Sequence, residues 1–325
     1  MDVRGILRDI GGGHRPTENL SMERAEELFG ALLDGEVPPL QLGAVLLALR
    51  WKRETPEELA GFARAVASRT RPIPLPAGLP RTVVIPSYAR AHWRQPNLMP
   101  MLALLLARFG LQVIIHGNPH PDCRSQSFDV LARLGYLPAA SRADIDQQLA
   151  LHNLAIVSTD LIAPGLSRLL KLRAELGVGN SADLVARLLD PCPGTSLRLI
   201  CISDPELLGR LRNAVEIDPS PALLMRATDG EAYANPSRRP RIELFSDAGS
   251  EVLFQAGSGE HAPQGLPQPG DIDGLARRIE DTLAGHRQPP LPLLNQVAAC
   301  LYASGQSPDL THAKATVALG LPSAA

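Results

Sequence analysis

The sequence predicts an α/β protein in which a small helical domain precedes a larger domain built on a mostly parallel central sheet. Three observations predict it. Apolar residues recur at helical spacing through the first seventy positions, a proline-rich stretch follows, and beyond it short apolar runs alternate with helical ones. With 325 residues, 45% of them hydrophobic, the chain can bury a core in each of two units.

In the helical part, Ser21 is placed to cap a helix that runs to about Leu33, and a second helix spans about Pro39 to Arg53. A third opens on Thr55 as cap, Pro56 at its first position and Glu58 completing a capping box. Arg71 to Pro80, RPIPLPAGLP, cannot donate a regular hydrogen-bond ladder and reads as an extended linker. The boundary therefore falls between a helical domain of residues 1–75 and an α/β domain of residues 80–325.

In the second part the expected strands are Thr82 to Ile85, Gln112 to Ile115, Leu154 to Val157, Leu197 to Ile202 and Leu223 to Arg226. Ile242 to Phe245 and Val252 to Gln255 follow as weaker strand signals. Helices are expected over Leu98 to Phe109, Ser125 to Leu134, Ala143 to Leu151 and Pro205 to Ala214, and again from Ile272 onward. The helix from Leu98 is apolar nearly all round, as a sandwiched helix should be.

Composition narrows the function. No apolar run is long enough to cross a bilayer and no charged, apolar-cored leader opens the chain, so a cytoplasmic location is expected. Cys123, Cys192, Cys201 and Cys300 form no CxxC pair, which argues for buried, reduced thiols rather than a disulfide framework or zinc. The net charge is −2, yet no acidic residue occurs from Pro80 to Pro121, where Arg81, Arg90, Arg94 and Arg108 are found. A basic face on a nearly neutral protein follows.

The stretch IPSYARAHWRQPN, Ile85 to Asn97, lies between a strand and a helix, where α/β proteins hold ligands. Asn97 can cap the following helix and leave N–H groups facing an anion. Arg90 and Arg94 add forked donors suited to phosphate, and Tyr88 and Trp93 offer flat surfaces for bases. The bland alternative is that the aromatics pack the loop onto its domain. Elsewhere Arg168 and Lys171 share a helix face, Arg187, Arg210 and Arg212 extend the basic surface, and Arg238 and Arg239 lie on a basic loop. For each of these the bland alternative is a solvated side chain. Gly11-Gly12-Gly13-His14 has no preceding strand and reads as a flexible terminus, and His116 beside Gly117 reads as structural.

Several motifs carry a resemblance. ERAEELFGALLDGEVPPLQLGAVLLALRWKRETPEELAGFARA, His116-Gly117-Asn118, RSQSFDVLARLG from Arg124 and LRAELGVGNSADLVARLLDP from Leu172 resemble anthranilate phosphoribosyltransferases of glycosyltransferase family 3 in order and spacing. The resemblance implies a nucleoside phosphorylase/phosphoribosyltransferase-like architecture, with helices from about 164 to 190 packing onto the first domain. It also implies a homodimer formed through the helical domains. The active-site motifs depart from the family. Its GTGGD diphosphate loop falls on Ser87, Tyr88, Ala89, Arg90 and Ala91, where no glycine remains. Its NxST turn falls on Asn97, Leu98, Met99 and Pro100, without either hydroxyl.

In the family's acidic, magnesium-holding segment this chain has DGEAY, Asp229 to Tyr233, with Glu231 two positions from where the last carboxylate belongs. Gly179 replaces the arginine expected to grip anthranilate, while Asn118 persists and Arg124 stands where the family has a lysine. The PSYxxARxQPN, GVxNSAxxLA and GEAYANPxRxP segments resemble in particular the YbiB-type paralogs of anthranilate phosphoribosyltransferase. That resemblance implies a non-catalytic protein that binds nucleic acid, preferring single strands with low sequence specificity, and needs neither cofactor nor metal. No residue is assigned a catalytic role. The expected contacts are Tyr88, Arg90, Trp93, Arg94, Asn97, Asn118, Arg124, Arg168, Lys171, Arg187, Arg210, Arg212, Arg238 and Arg239. The chain departs from the branch at Gly179, where the branch carries arginine, which points to a weaker cationic groove. The alternatives are a magnesium-dependent phosphoribosyltransferase with a changed acceptor and a dimer that senses a small phosphate.

Overall fold

The computed structural model describes residues 2–12, 17–76, 80–88, 94–118, 127–217, 219–257 and 265–320. The elements in chain order are α1 (Val3–Ile10), α2 (Met22–Asp34), α3 (Pro39–Lys52), α4 (Pro56–Ala67), β1 (Thr82–Ser87), α5 (Met99–Arg108) and β2 (Val113–Gly117). They continue with α6 (Ser127–Arg133), α7 (Arg142–His152), β3 (Leu154–Ser158), α8 (Thr159–Ile162), α9 (Pro164–Leu176), α10 (Ala182–Val185), β4 (Ser196–Ile202) and α11 (Pro205–Ile217). The last are β5 (Ala222–Arg226), β6 (Ile242–Ser246), β7 (Gly249–Phe254), α12 (Ile272–Leu283), α13 (Leu291–Ala303) and α14 (Leu310–Gly320).

The chain divides into two compact units. The first comprises Met1–Pro72, Thr159–Pro191 and Gly209–Pro219; the second comprises Ile73–Ser158, Cys192–Leu208 and Ser220–Ala325. Within the first, α2 and α4 pack through the stacked rings of Phe29 and Phe62, whose centroids are 4.6 Å apart. The expected capping box opens α4: Thr55 accepts from the Glu58 N–H while Glu58 accepts from the Thr55 N–H. Glu58 also takes the Leu20 N–H at 2.8 Å and the Lys52 ammonium at 2.7 Å, so its fully buried charge is met on every side. Helix α1 precedes the Gly11-Gly12-Gly13-His14 stretch: Asp2 caps it and the Gly11 N–H closes it onto the Leu7 carbonyl. Gly13 and His14 lie outside the described residues.

The second unit carries a sheet of order β3-β2-β1-β4-β5-β6-β7 among the described residues. The first five strands in that order are parallel, β6 runs antiparallel to β5, and β7 runs antiparallel to β6. The parallel strands are buried almost throughout, the pattern of a sheet covered on both faces. The residues of α5 from Met99 to Ala107 are all buried, which explains its apolar circumference. Strand order reverses between β1 and β4, and ligand sites in such sheets lie at the carboxyl ends of the strands beside that reversal. Ser87 ends β1 there. Cys192, Cys201 and Cys300 form no disulfide and are buried, and burial pushes the Cys300 thiol well up.

Candidate functional site

The site within the second unit is built where β1, β2, β4 and β5 end. After β5 the chain makes a tight turn at Asp229 and Gly230, both in the left-handed region at φ 49 and 88. Thr228 and Glu231 close it with a reciprocal pair of backbone hydrogen bonds, so the Asp-Gly pair forms the turn type that twists with flanking strands. The Gly230 N–H donates to Ser203 Oγ at 2.9 Å, beyond the end of β4.

This turn grips the loop that follows β1. Asp229 Oδ2 accepts the backbone N–H groups of Arg94 at 2.8 Å and Gln95 at 2.9 Å, both charge-assisted bonds. Glu231, 2% exposed, accepts the Ser87 hydroxyl at 3.1 Å on Oε1 and the Ser127 hydroxyl at 3.3 Å on Oε2. The Asn97 amide donates to Ser127 Oγ at 2.9 Å, and its carbonyl accepts the Met99 N–H at 3.1 Å. The Tyr233 hydroxyl donates to the Pro96 carbonyl at 2.9 Å, and Gln296 bonds both Ala232 and Ala234. Burial, followed by the charges of Asp229 and Glu231, pushes the Tyr233 phenol well above its usual range.

Asn97 thus meets the helix start as expected, but the expectation that it leaves an open anion site there is corrected. Asn97 is 1% exposed, Met99 and Met101 are fully buried, and Pro100 has no N–H to offer. Nor do the acidic residues fit a magnesium ion. Both Glu231 oxygens take hydroxyls deep in the unit, and Asp229 Oδ2 takes two N–H groups. Among the described residues no group of three His, Cys, Asp or Glu side chains is placed to hold a metal.

Tyr88 is half-buried, its hydroxyl 2.9 Å from His116 Nδ1 and its ring edge-on to the imidazole. His116 is fully buried, and burial alone lowers its pKa to about 3, so it is neutral. Its Nε2 has no hydrogen-bond partner among the described residues. Arg94 is exposed beside the Asp229 turn. Arg90, Trp93 and Arg124 lie outside the described residues. Asn118 is half-buried, its Oδ1 accepting the Ser158 hydroxyl at 3.4 Å. Arg238 is exposed, while Arg239 donates to the Gln255 carbonyl and lies 5.7 Å from the centre of the Phe254 ring.

The cations of the first unit are largely engaged. Arg168 donates to the Leu32 and Leu33 carbonyls at the end of α2, satisfying acceptors that the helix leaves open. Lys171 pairs with Asp160 at 2.7 Å, Arg212 with Glu216 at 2.9 Å, and Arg210 reaches the Glu54 carbonyl at 3.4 Å. Arg168 and Lys171 therefore meet different partners rather than forming one free face. Arg187 approaches Asp183, as do Arg173 and Arg50; burial raises the Asp183 carboxyl pKa against the pull of those three charges. Sequence reasoning missed the roles of Ser87, Ser127, Asp229 and Arg50. An Asp-Gly pair just past a strand is the signal that could have marked the turn.

These features define a protein of the anthranilate phosphoribosyltransferase-like class in which Asp229 and Glu231 accept hydrogen bonds from the chain's own Arg94, Gln95, Ser87 and Ser127. Residues 5–70 match the helical bundle domain of the glycosyl transferase family. The chain is 37% identical over 322 residues to the uncharacterized protein YbiB of Escherichia coli (strain K12), spanning 98% of this chain and 99% of that one. It is 29% identical to the anthranilate phosphoribosyltransferase of Idiomarina loihiensis over 92% of this chain and 89% of that one. Among solved structures, the anthranilate phosphoribosyltransferase of Thermus thermophilus superposes with a TM-score of 0.79 at 24% identity, covering 100% of this chain and 95% of that one. The Saccharomyces cerevisiae enzyme in complex with PRPP and Mg gives 0.73 at 16%, covering 98% and 93%. The chain belongs to the YbiB family of anthranilate phosphoribosyltransferase-like proteins.

Proposed function

We propose that the protein binds single-stranded nucleic acid with low sequence specificity, without cofactor or metal, and performs no phosphoribosyl transfer. The observation that carries this reading is the double use of Asp229 and Glu231 as internal acceptors for the Arg94, Gln95, Ser87 and Ser127 donors. Carboxylates committed to the protein's own N–H and O–H groups are poor partners for a magnesium diphosphate, which needs free oxygen ligands. The loop they hold has lost the glycines that cradle a diphosphate and carries Arg90, Arg94 and two aromatics instead. Exposed Arg94 and Arg238 offer charge to a polymer of phosphates.

The protein acts, on this reading, as a homodimer through the helical unit. Leu40, Leu47 and Trp51 are 88, 55 and 84% exposed along one face of α3, an apolar stripe suited to a second copy of the same face.

The test is anisotropy of a labelled oligothymidylate over a salt series, with and without EDTA. Binding that weakens with a log–log slope of about −0.7 per phosphate contacted, unchanged by EDTA, is expected. No binding at low salt, or magnesium-dependent consumption of phosphoribosyl pyrophosphate, overturns the proposal.

A further inference from the structure

His116 stands one residue before the end of β2, in register with Pro86 of β1 and Val157 of β3, and is fully buried. Burial alone lowers its pKa, with no carboxylate pulling the other way. A neutral imidazole walled off from solvent is neither a proton carrier nor a ligand contact. Its one hydrogen bond among the described residues joins Nδ1 to the Tyr88 hydroxyl at 2.9 Å, and Nε2 has none. A proton on Nε2 would be buried without an acceptor, so the proton sits on Nδ1 and is donated to the Tyr88 oxygen. An apolar side chain would fill the same place without leaving a buried nitrogen unmet. What the imidazole adds is its hold on Tyr88. Tyr88 directly follows β1 and is half-buried, so part of its phenol reaches the surface at the carboxyl end of the sheet. Its ring lies edge-on to the imidazole, centroids 5.5 Å apart at 65°, which fixes the ring as well as its oxygen. The strand ends beneath are pressed together: a Cβ on Gly117 would collide with the Ser87 carbonyl.

We propose that His116 is a positioning residue that holds the Tyr88 ring as a stacking platform for one base of a single strand. The two torsions of the tyrosine are set before a ligand arrives, so little side-chain freedom remains to be lost on binding. Every base has a π-face, so such a platform adds affinity without sequence preference. The contact carries no charge and adds nothing to the salt slope, in contrast to Arg94 in the same loop. The inference rests on the nucleic-acid reading above and assigns one base contact within it.

The experiment measures binding of labelled oligothymidylate over a salt series to the full-length protein and to variants at the two positions. Tyr88→Ala is expected to bind roughly tenfold more weakly with the parent's salt slope, because a base contact is removed and no charge is. Tyr88→Phe keeps the ring and loses its anchor. It and His116→Leu are each expected to lose about threefold, and the two together no more than either alone, because both act through one bond. Asparagine places its amide where Nδ1 stands and glutamine where Nε2 stands, so His116→Asn is expected to restore the parent's affinity while His116→Gln is not. An oligonucleotide carrying iododeoxyuridine is expected to crosslink to Tyr88 on irradiation in the parent and in His116→Asn, and much less in His116→Leu. Additive losses in the double variant, or undiminished crosslinking in His116→Leu, overturn the proposal. If His116→Leu fails to fold by circular dichroism, Tyr88→Phe decides: a loss of about threefold at constant slope supports the anchor, and the parent's affinity overturns it. A parent that binds no oligonucleotide removes the functional reading and this inference with it; a parent that binds beside an equally tight Tyr88→Ala removes the platform alone.

Discussion

The Tyr233 hydroxyl donates to the carbonyl of Pro96 at 2.9 Å, and both residues are buried. With Asp229 on Arg94 and Gln95 and Glu231 on Ser87, it ties one segment to the other at three places. The loop after β1 and the turn after β5 are therefore one structural piece.

Asp229 should then be a stabilising residue of that piece. Asp229→Ala removes a charged acceptor of two N–H groups and puts alanine at positive φ, so a loss of about 2 kcal/mol is expected in urea unfolding. Asp229→Asn tolerates the backbone and keeps a neutral acceptor, so its loss should be about half as large. Equal stability of all three proteins would show that the turn does not hold the loop.

Arg90 and Arg94 should act through charge rather than through folding. Replacing both with glutamine is expected to lower oligonucleotide affinity and reduce the salt slope by about 1.4, while the thermal midpoint stays within a degree or so. An unchanged slope would take this loop out of the interface.

His116 gives a pH dependence. Its folded pKa of about 3 lies below the ordinary value of 6.5, so between those values the unfolded state binds more protons. The stability contributed by the neutral imidazole is complete above pH 6.5 and is lost progressively as pH falls towards 3. His116→Asn keeps a polar partner for Tyr88 and cannot titrate there. Urea unfolding at pH 7 and pH 5 should show a smaller acid-side loss in the variant than in the parent.

The apolar stripe of α3 should set the oligomeric state. Leu47→Asp with Trp51→Glu places charge on that face, and sedimentation velocity is expected to show a monomer where the parent is a dimer. A parent that sediments as a monomer ends the dimer proposal.

Much of the fold was legible because local signals agreed with the tertiary outcome. The Thr55 capping box, the all-apolar α5 and the buried parallel strands each have one low-energy arrangement. The site was less legible because its bonds join residues far apart in sequence. Nothing near Ser127 announces that its hydroxyl meets Glu231, and nothing near Arg50 announces Gly179. Position 179 looked like a lost cation from the sequence, whereas the structure puts two others beside it. Arg168 looked like a surface contact, and instead it closes the end of α2.

The joining of loop and turn has a consequence for variation. Asp229 and Glu231 hold donors at Arg94, Gln95 and Ser87, so substitutions in the segment after β1 and in the turn after β5 act on the same bonds, and their effects on stability are expected to depart from additivity.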